Sequence, residues 1–333
     1  MLTEHTRRSM ITRRKFMTDS AVVASTLALR RMLRAAQVNT PEQATEPEQN
    51  QETLLQSMRA SAAAAPIHDT KLTDTISLLQ SVGANIVVFS GPDGKILIDA
   101  GMATGAPRLL DMLTKLGPHP IKLLINTSWL FDHTDGNAAL HLAGAFILAQ
   151  QNTRLRLDAP QKIPMFNLTL PPSPASALPQ ATFGDRQTLY LNNDELDLVY
   201  APDASTDSDT FVHFVNTNVI HAGELWYNGG YPVIDTASGG TIHGMIRGLE
   251  RVLRLADDRT KIIPSHGDAG NKADLAAYRE MLESVAERIE KLRAAGQSLD
   301  EVIASRPTAD LDSQWPHGEI TPAMFLTAVY NTL

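Results

Sequence analysis

From residue 85 onward the apolar positions of the chain fall in short β-branched runs bounded by turn residues, the pattern of strands. "NIVVFS" (85–90) and "KILIDAG" (95–101) flank Gly91-Pro92-Asp93-Gly94, so 85–100 reads as a hairpin. Pro107 to Leu116 has helical spacing, "IKLLIN" (121–126) reads as a buried strand, Asp135 to Leu142 as a helix and "AFILAQ" (145–150) as a further strand. Six prolines between Asp158 and Gln180 exclude regular helix or central strand, so that stretch is expected to be a long surface loop. "QTLYL", "LDLVYA", "DTFVHFV" and "NVIHAGEL" resume the strand pattern. A helix over Thr241–Leu255 and a short strand in "KIIPSHGD" come next. Lys272 to Ala295 then reads as an amphipathic helix stopped by Gly296, with Ser298 placed to cap a shorter one.

The first part of the chain has a different pattern. Residues 37–53 are polar and acidic without aliphatic periodicity, the signature of a tether, and Ala and Leu propensity then suggests a short helix from Leu54 to Ala65. Ahead of the tether, Arg13-Arg14-Lys15 precedes a short apolar segment, Ala21 to Leu29. This resembles a twin-arginine export signal over residues 1–36 and implies a periplasmic or extracytoplasmic location. Those 36 residues hold eight Lys/Arg and two Asp/Glu, so the formal charge of the remainder moves from −8 to −14. An acidic body argues against nucleic acid, whose affinity draws on a basic surface that releases counterions. No run of eighteen apolar residues exists to span a membrane. With no cysteine in the chain, any metal must be held by His, Asp or Glu. The oligomeric state is open.

Candidate chemistry centres on "NTSWLFDHTDGN" (126–137), which has the look of the end of an H-x-H-x-D-H motif with Ser128 and Leu130 where the first two histidines would stand. Together with "LIDAG" (97–101), "APDASTDSD" (201–209), "HAGELWYNGGYPVID" (221–235) and "IIPSHGD" (262–268), it resembles the metallo-β-lactamase fold superfamily, over roughly residues 72–333. The resemblance implies an α/β (α+β) fold, a four-layer αββα sandwich of two mixed sheets flanked by helices, whose strand-end loops hold two metals along one edge. Carried over position by position, the first metal would need histidines at 128, 130 and 205, where this chain has Ser128, Leu130 and Ser205. A leucine has no lone pair, and a neutral hydroxyl is a poor ligand for a borderline ion. The second metal would use Asp132, His133 and His266, with Glu224 standing where the family has a bridging aspartate.

Two imidazoles and two carboxylates match the inventory of one zinc, iron or manganese ion, so the site is expected to hold one such ion or none. If loaded, Asp132 or Glu224 would orient or deprotonate a water for attack on a small ester, amide or thioester. The alternative is a non-catalytic pseudoenzyme of the same fold that binds a small molecule. Ser128 and Ser205 would then serve as hydrogen-bonding groups, and Trp129, Leu130 and Phe131 as an apolar wall. A serine nucleophile at either position lacks a G-x-S-x-G elbow. In an extended loop Ser128, Leu130 and Asp132 should share one face. Asp99 is expected to brace the metal loop from behind, and His243 is the candidate replacement ligand or acid–base group. Trp226, Tyr227 and Tyr231 are candidate pocket aromatics, and His221 belongs either to a strand core or behind the ligands. His68, His119, His141, His213 and His317 are read as ordinary histidines.

Overall fold

The computed structural model describes residues 47–315 and 320–333, with side chains from residue 55 onward. The export signal expected over residues 1–36, the first ten residues of the tether and His317 lie outside the described residues. Residues 47–333 form one compact unit. A helix α1 (Pro47–Ala64) and the strand β1 (His68–Lys71) are built into the same body as residues 72–333. The helix covers the last part of the stretch that its polar composition suggests is a tether.

Seven strands make the first sheet. In chain order they are β1, β2 (Ile76–Gln80), β3 (Ile86–Gly91), β4 (Gly94–Ile98), β5 (Ile121–Asn126), β6 (Phe146–Gln150) and β9 (Ala181–Phe183), and their spatial order is the same. The first four pair antiparallel, while β4, β5, β6 and β9 run parallel. Parallel neighbours need crossovers, which α2 (Ala106–Lys115) supplies between β4 and β5. A helical turn α3 (Phe131–Thr134) followed by α4 (Asn137–Leu142) does the same between β5 and β6. The chain leaves β6 through α5 (Gln151–Leu157), a helix that the apolar pattern does not announce.

The proline-rich stretch is more ordered than a surface loop. A small separate hairpin, β7 (Gln161–Ile163) and β8 (Leu168–Leu170), buries Ile163 and Leu168 against Trp129 and Leu130. Pro160 and Pro164 bracket the three residues of β7, and Pro171 follows β8. Proline thus stands outside the paired segments, where its missing N–H does no harm.

The second sheet has five strands in the order β10 (Arg186–Leu191), β11 (Asp194–Tyr200), β12 (Thr210–Phe214), β13 (Val219–Tyr227) and β14 (Lys261–His266). Its first turn is the two residues Asn192 and Asn193, both at positive φ, as a tight primed hairpin turn requires. The Asn192 side chain donates to the carbonyls of Phe89 and Gly94 and accepts from the Asp93 N–H, which ties the two hairpins together.

Four layers result from where the apolar faces are buried. Ile76, Val87, Phe89, Ile96 and Ile98 of the first sheet meet Leu196, Leu198, Val212, Phe214 and Ile263 of the second, forming the inner core. The outer face of the first sheet packs on α2 and α4 through Leu109, Leu113 and Leu140. The outer face of the second is covered by α6 (Ile242–Leu255), α7 (Lys272–Ala294), α8 (Leu299–Ser305) and α9 (Pro322–Thr332). Thr241, Asn271 and Ser298 cap α6, α7 and α8, the last two through capping boxes with Asp274 and Glu301. Gly296, at φ +83, follows the end of α7. The four-layer αββα sandwich expected from the motifs is the observed fold. Among the described residues no helix is long and apolar enough to cross a membrane.

Candidate metal centre

Four strands deliver the site. Asp99 follows β4 directly, at φ +65, and its carboxylate accepts the Thr127 N–H at 2.8 Å and the Thr127 hydroxyl at 2.6 Å just after β5. This pins the start of the motif loop. The loop does not remain extended: Phe131 to Thr134 closes into a helical turn, with the His133 N–H on the Leu130 carbonyl and the Ala100 N–H on the His133 carbonyl. Gly136 ends the turn against the backbone of Ala100, and a Cβ there would lie 2.3 Å from the Ala100 carbonyl oxygen. The glycine of Asp-His-x-x-Gly is therefore required by close backbone approach.

Glu224 reaches the site from the middle of β13, where the register against β14 slips between His221 and Tyr227. Such an irregularity re-aims a side chain. Gly223 permits it, at φ +57, where a Cβ would lie 2.7 Å from the Thr210 carbonyl oxygen. His266 ends β14, and Asn85 holds that corner through bonds to the carbonyls of Pro264 and Gly267. Tyr227 stacks on the His266 ring at 4.7 Å.

Asp132, His133, Glu224 and His266 each present a ligand atom, and all four atoms lie within 4.8 Å of one another. His133 is fully buried between two acids, with Nδ1 2.9 Å from Asp99 and Nε2 2.7 Å from Glu224. His266 Nε2 stands 3.0 Å from Asp132 and 3.7 Å from Glu224. Burial alone would lower the His133 pKa, but the charges of Asp99 and Asp132 and its two hydrogen bonds hold it well above the ordinary imidazole value. His266 is likewise lowered by burial and raised by more through Asp132 and Glu224. Burial pushes Asp132 up, yet the two imidazoles bring it down to about 2. The protein on its own therefore satisfies this corner with two protonated imidazoles set among carboxylates.

The same donors fit a divalent ion. Two imidazoles and two carboxylates suit zinc, iron or manganese, and three of them suffice for a catalytic zinc with one position open. With an ion present, Asp99 would keep the Nδ1 proton of His133 while loss of the Nε2 proton freed that nitrogen toward the other ligands, the carboxylate–histidine arrangement typical of metal sites. The 2.7 and 3.0 Å contacts are proton-sharing distances. An ion held by Asp132, His133, Glu224 and His266 would take the place of the shared protons.

The remaining candidates divide sharply. Ser128 and Ser205 are wholly buried and donate nothing to the group. Ser128 engages Asp209 and, at 3.5 Å, the Leu130 N–H, while the Ser205 hydroxyl has no partner. Neither serine lines the small cavity beside the ligands or bonds to a histidine, contrary to their readings as pocket hydrogen-bonding groups or nucleophiles. The helical turn breaks the expected alternation, so Leu130 and Asp132 face that cavity without Ser128. Phe131 also lines it, whereas Trp129 turns toward a different cavity. Asp99 does more than brace the loop, since it orients His133.

His243 is half exposed and pairs with Glu290 at 3.2 Å on the helical face, away from the ligands, so it is no replacement ligand. Tyr231 is core: it stacks on Phe325, and its hydroxyl donates to Asp312 at 2.8 Å. Trp226 is core as well, leaving Tyr227 as the pocket aromatic of the three. His221 is fully buried and accepts the Gly223 N–H on Nδ1, and burial lowers its pKa to about 4.

Asp209 is an unforeseen member of the neighbourhood. It is fully buried, and its pKa is pushed up to about 8 by burial and by the Glu224 charge, against hydrogen bonds from Thr206 and Ser128. Nothing in "STDSD" separates this aspartate from Asp207, which instead meets Arg156 at the surface. Met58, Phe166, Val233 and Ile320, which close the small cavity from four distant segments, also have no local signal.

Residues 81–267 match the metallo-beta-lactamase superfamily, more than half of the chain. Comparison with curated protein sequences gives no match. Among solved structures, the metallo-beta-lactamase from Pontibacter korlensis aligns with a TM-score of 0.54 at 17% identity, covering 66% of this chain and 99% of that one. The stereoselective inverting sec-alkylsulfatase Pisa1 from Pseudomonas sp. aligns with a TM-score of 0.60 at 18% identity over 80% of this chain, which spans 50% of the sulfatase's length. The metallo-beta-lactamase FIM-1 from Pseudomonas aeruginosa in its mono-zinc form gives 0.53 at 16% identity, covering 66% of this chain and 95% of that one. At these identities the likeness is one of fold.

Proposed function

The chain belongs to the metallo-beta-lactamase superfamily, and from that premise we propose that it is a single-metal hydrolase of a small ester, amide or thioester, with the first metal position of the family lost. One observation carries the reading: four donors from three separate segments of the chain converge within 4.8 Å, and the buried Asp99 holds the His133 ring from behind through Nδ1. Packing alone does not require a fully buried acid–histidine–acid chain. The FIM-1 structure, a mono-zinc form, is a precedent for this fold holding one ion. Export through the paired arginines belongs to the same reading and rests on residues 13–14.

Asp132, His133, His266 and Glu224 would hold the ion, which when bound would supply Lewis acidity. Asp132 or Glu224 would orient or deprotonate the attacking water. Tyr227, stacked on His266, and Asp99, bonded to His133, fix the two rings. Leu130 and Phe131 keep bulk water from the other side of the cavity.

Metal analysis of protein purified without added metal tests this, alongside Asp132→Ala and His266→Ala. Near one equivalent of metal in the parent, lost in both variants, is the expected result. No metal, with thermal stability unchanged on adding zinc, iron or manganese, overturns it. That outcome moves the reading to a non-catalytic binding protein. The specific observation favouring this second reading is that the imidazoles and carboxylates already satisfy one another at 2.7 and 3.0 Å.

A further inference from the structure

The cavity at the metal centre is small, about 70 Å³, well below the range of ligand pockets. A substrate that reacts there must place the rest of its body elsewhere.

A second cavity of about 330 Å³ opens on the far side of the motif loop, within the range of ligand pockets. Its wall is mainly apolar, with Leu55 of α1, Trp129 and Phe131 of the loop, Leu157 of α5, and Leu170 and Pro172 after the small hairpin. Phe131 connects the two cavities because it lines both, standing between Leu130 and Asp132, which face the metal centre. It is only partly buried, so its two side-chain torsions can turn it aside.

The charges around the larger cavity are already matched. Arg59 holds Asp135 through two bonds, at 2.5 and 3.0 Å, and Arg156 holds Asp207 at 2.8 and 3.1 Å. Neither arginine is set to receive an anion, and the cavity's attraction is for apolar surface. Collapse is resisted by Pro171, Pro172 and Pro174, whose fixed φ angles hold the rim. The expected surface loop is thus one wall of a preformed cleft.

We infer that this cleft is the subsite for an uncharged apolar tail of the substrate, an alkyl or aryl chain. At about 330 Å³ it takes a tail of the size that ordinary ligand pockets hold, joined past Phe131 to the hydrolysable group at the metal centre. This specifies the substrate class of the hydrolase reading and rests on it.

The test is calorimetric and uses metal-free protein, so it does not depend on turnover. The probes are methyl ketones from 2-butanone to 2-dodecanone, uncharged analogues of an ester that cannot be hydrolysed. Affinity should rise about fourfold with each added methylene and level off within the series once the cleft is filled. Leu170→Trp, which fills the cleft from a partly exposed position, should weaken 2-decanone binding more than tenfold. Leu55→Gln, on a separate element, should weaken it severalfold and guards against misfolding of the first variant. Affinity independent of chain length, or unchanged in both variants, overturns the inference. Metal stoichiometry measured on a parallel sample, purified without added metal or chelator, separates the two readings. Ketone binding without metal keeps the cleft and removes the hydrolase, and metal without ketone binding does the reverse.

Discussion

Two corners of one site meet in this protein, and they differ in what their buried polar groups have to work with. At Asp132, His133, Glu224 and His266 each buried charge has an opposite charge within hydrogen-bond reach, and Asp99 extends the chain inward. At Ser128, Leu130 and Ser205, equally buried, there is a carboxyl neighbour, a hydrocarbon and a hydroxyl without a partner. The first corner can exist only if its charges remain paired or are bridged by an ion. The second has shed its dependence on any charge. The proposed loss of one metal position is compatible with an intact second one, because the corner at Asp132, His133, Glu224 and His266 carries its own counter-ions.

The contrast is most exposed to His133→Ala. That change leaves Asp99 and Glu224 facing each other across a cavity with no cation between them, and stripping one partner from a buried charge pair costs about 3–5 kcal/mol. Urea denaturation of metal-free protein should show a loss of that order. A Ser128→Ala change in the other corner should stay within about 1 kcal/mol. Equal effects would mean that the two corners are energetically alike.

The sequence made the retained corner legible for a local reason: Asp-His-x-x-Gly and Ser-His-Gly-Asp are contiguous strings, and strand ends deliver them together. Fold layers were legible too, since β-branched runs and caps such as Asn271 and Ser298 act within a few residues. What stayed hidden depends on contacts across the chain. His243 opens a helix, which suggests a place near the rim, but its partner is Glu290 on the neighbouring helix. Tyr231 lies in a loop, which suggests a pocket aromatic, yet Phe325 from the last helix buries it. The prolines after 158 suggest only irregular backbone, while the hairpin and the cleft wall they build depend on Trp129 and α1.

Titration separates the corners next. His133 and His266 both sit above the ordinary imidazole value, so in metal-free protein their contribution to stability is complete below about pH 6.5 and is lost as pH rises through their folded values. An ion must displace both protons, so zinc affinity should climb by up to about two decades per pH unit over the same window. Zinc-induced thermal shifts at pH 6 and pH 8 check this. A shift larger at pH 6 would contradict the pairing described. Asp132, depressed to about 2, adds stability that is present above about pH 4 and lost as pH falls toward 2.

Rebuilding the vacated corner with Ser128→His, Leu130→His and Ser205→His should have a smaller effect on metal-free stability. Imidazoles larger than the two fully buried serines would overpack the site by about 1–3 kcal/mol. Metal analysis should then find a second equivalent of zinc. One equivalent only would show that backbone changes accompanied the lost ligands.

The mildest change belongs to Asp209, which lies between the two corners. Its pKa of about 8 keeps it protonated at neutral pH, where it is close in shape and charge to asparagine. In Asp209→Asn the amide oxygen can keep the bond from the Thr206 N–H, now 2.6 Å long. Its NH2 would face the Thr206 hydroxyl, which is free to turn its own proton toward Ser208, 3.1 Å away. Below about pH 4 the two proteins should therefore agree within about 1 kcal/mol. As pH rises from about 4 to 8 the parent loses stability, because its folded form holds this proton more tightly than the unfolded chain does, whereas asparagine has no proton to lose. The stability difference should move in favour of the variant across that range and level off above pH 8. A difference independent of pH would mean that Asp209 is ionised in the folded protein, and the vacated corner would then have kept a charge after all.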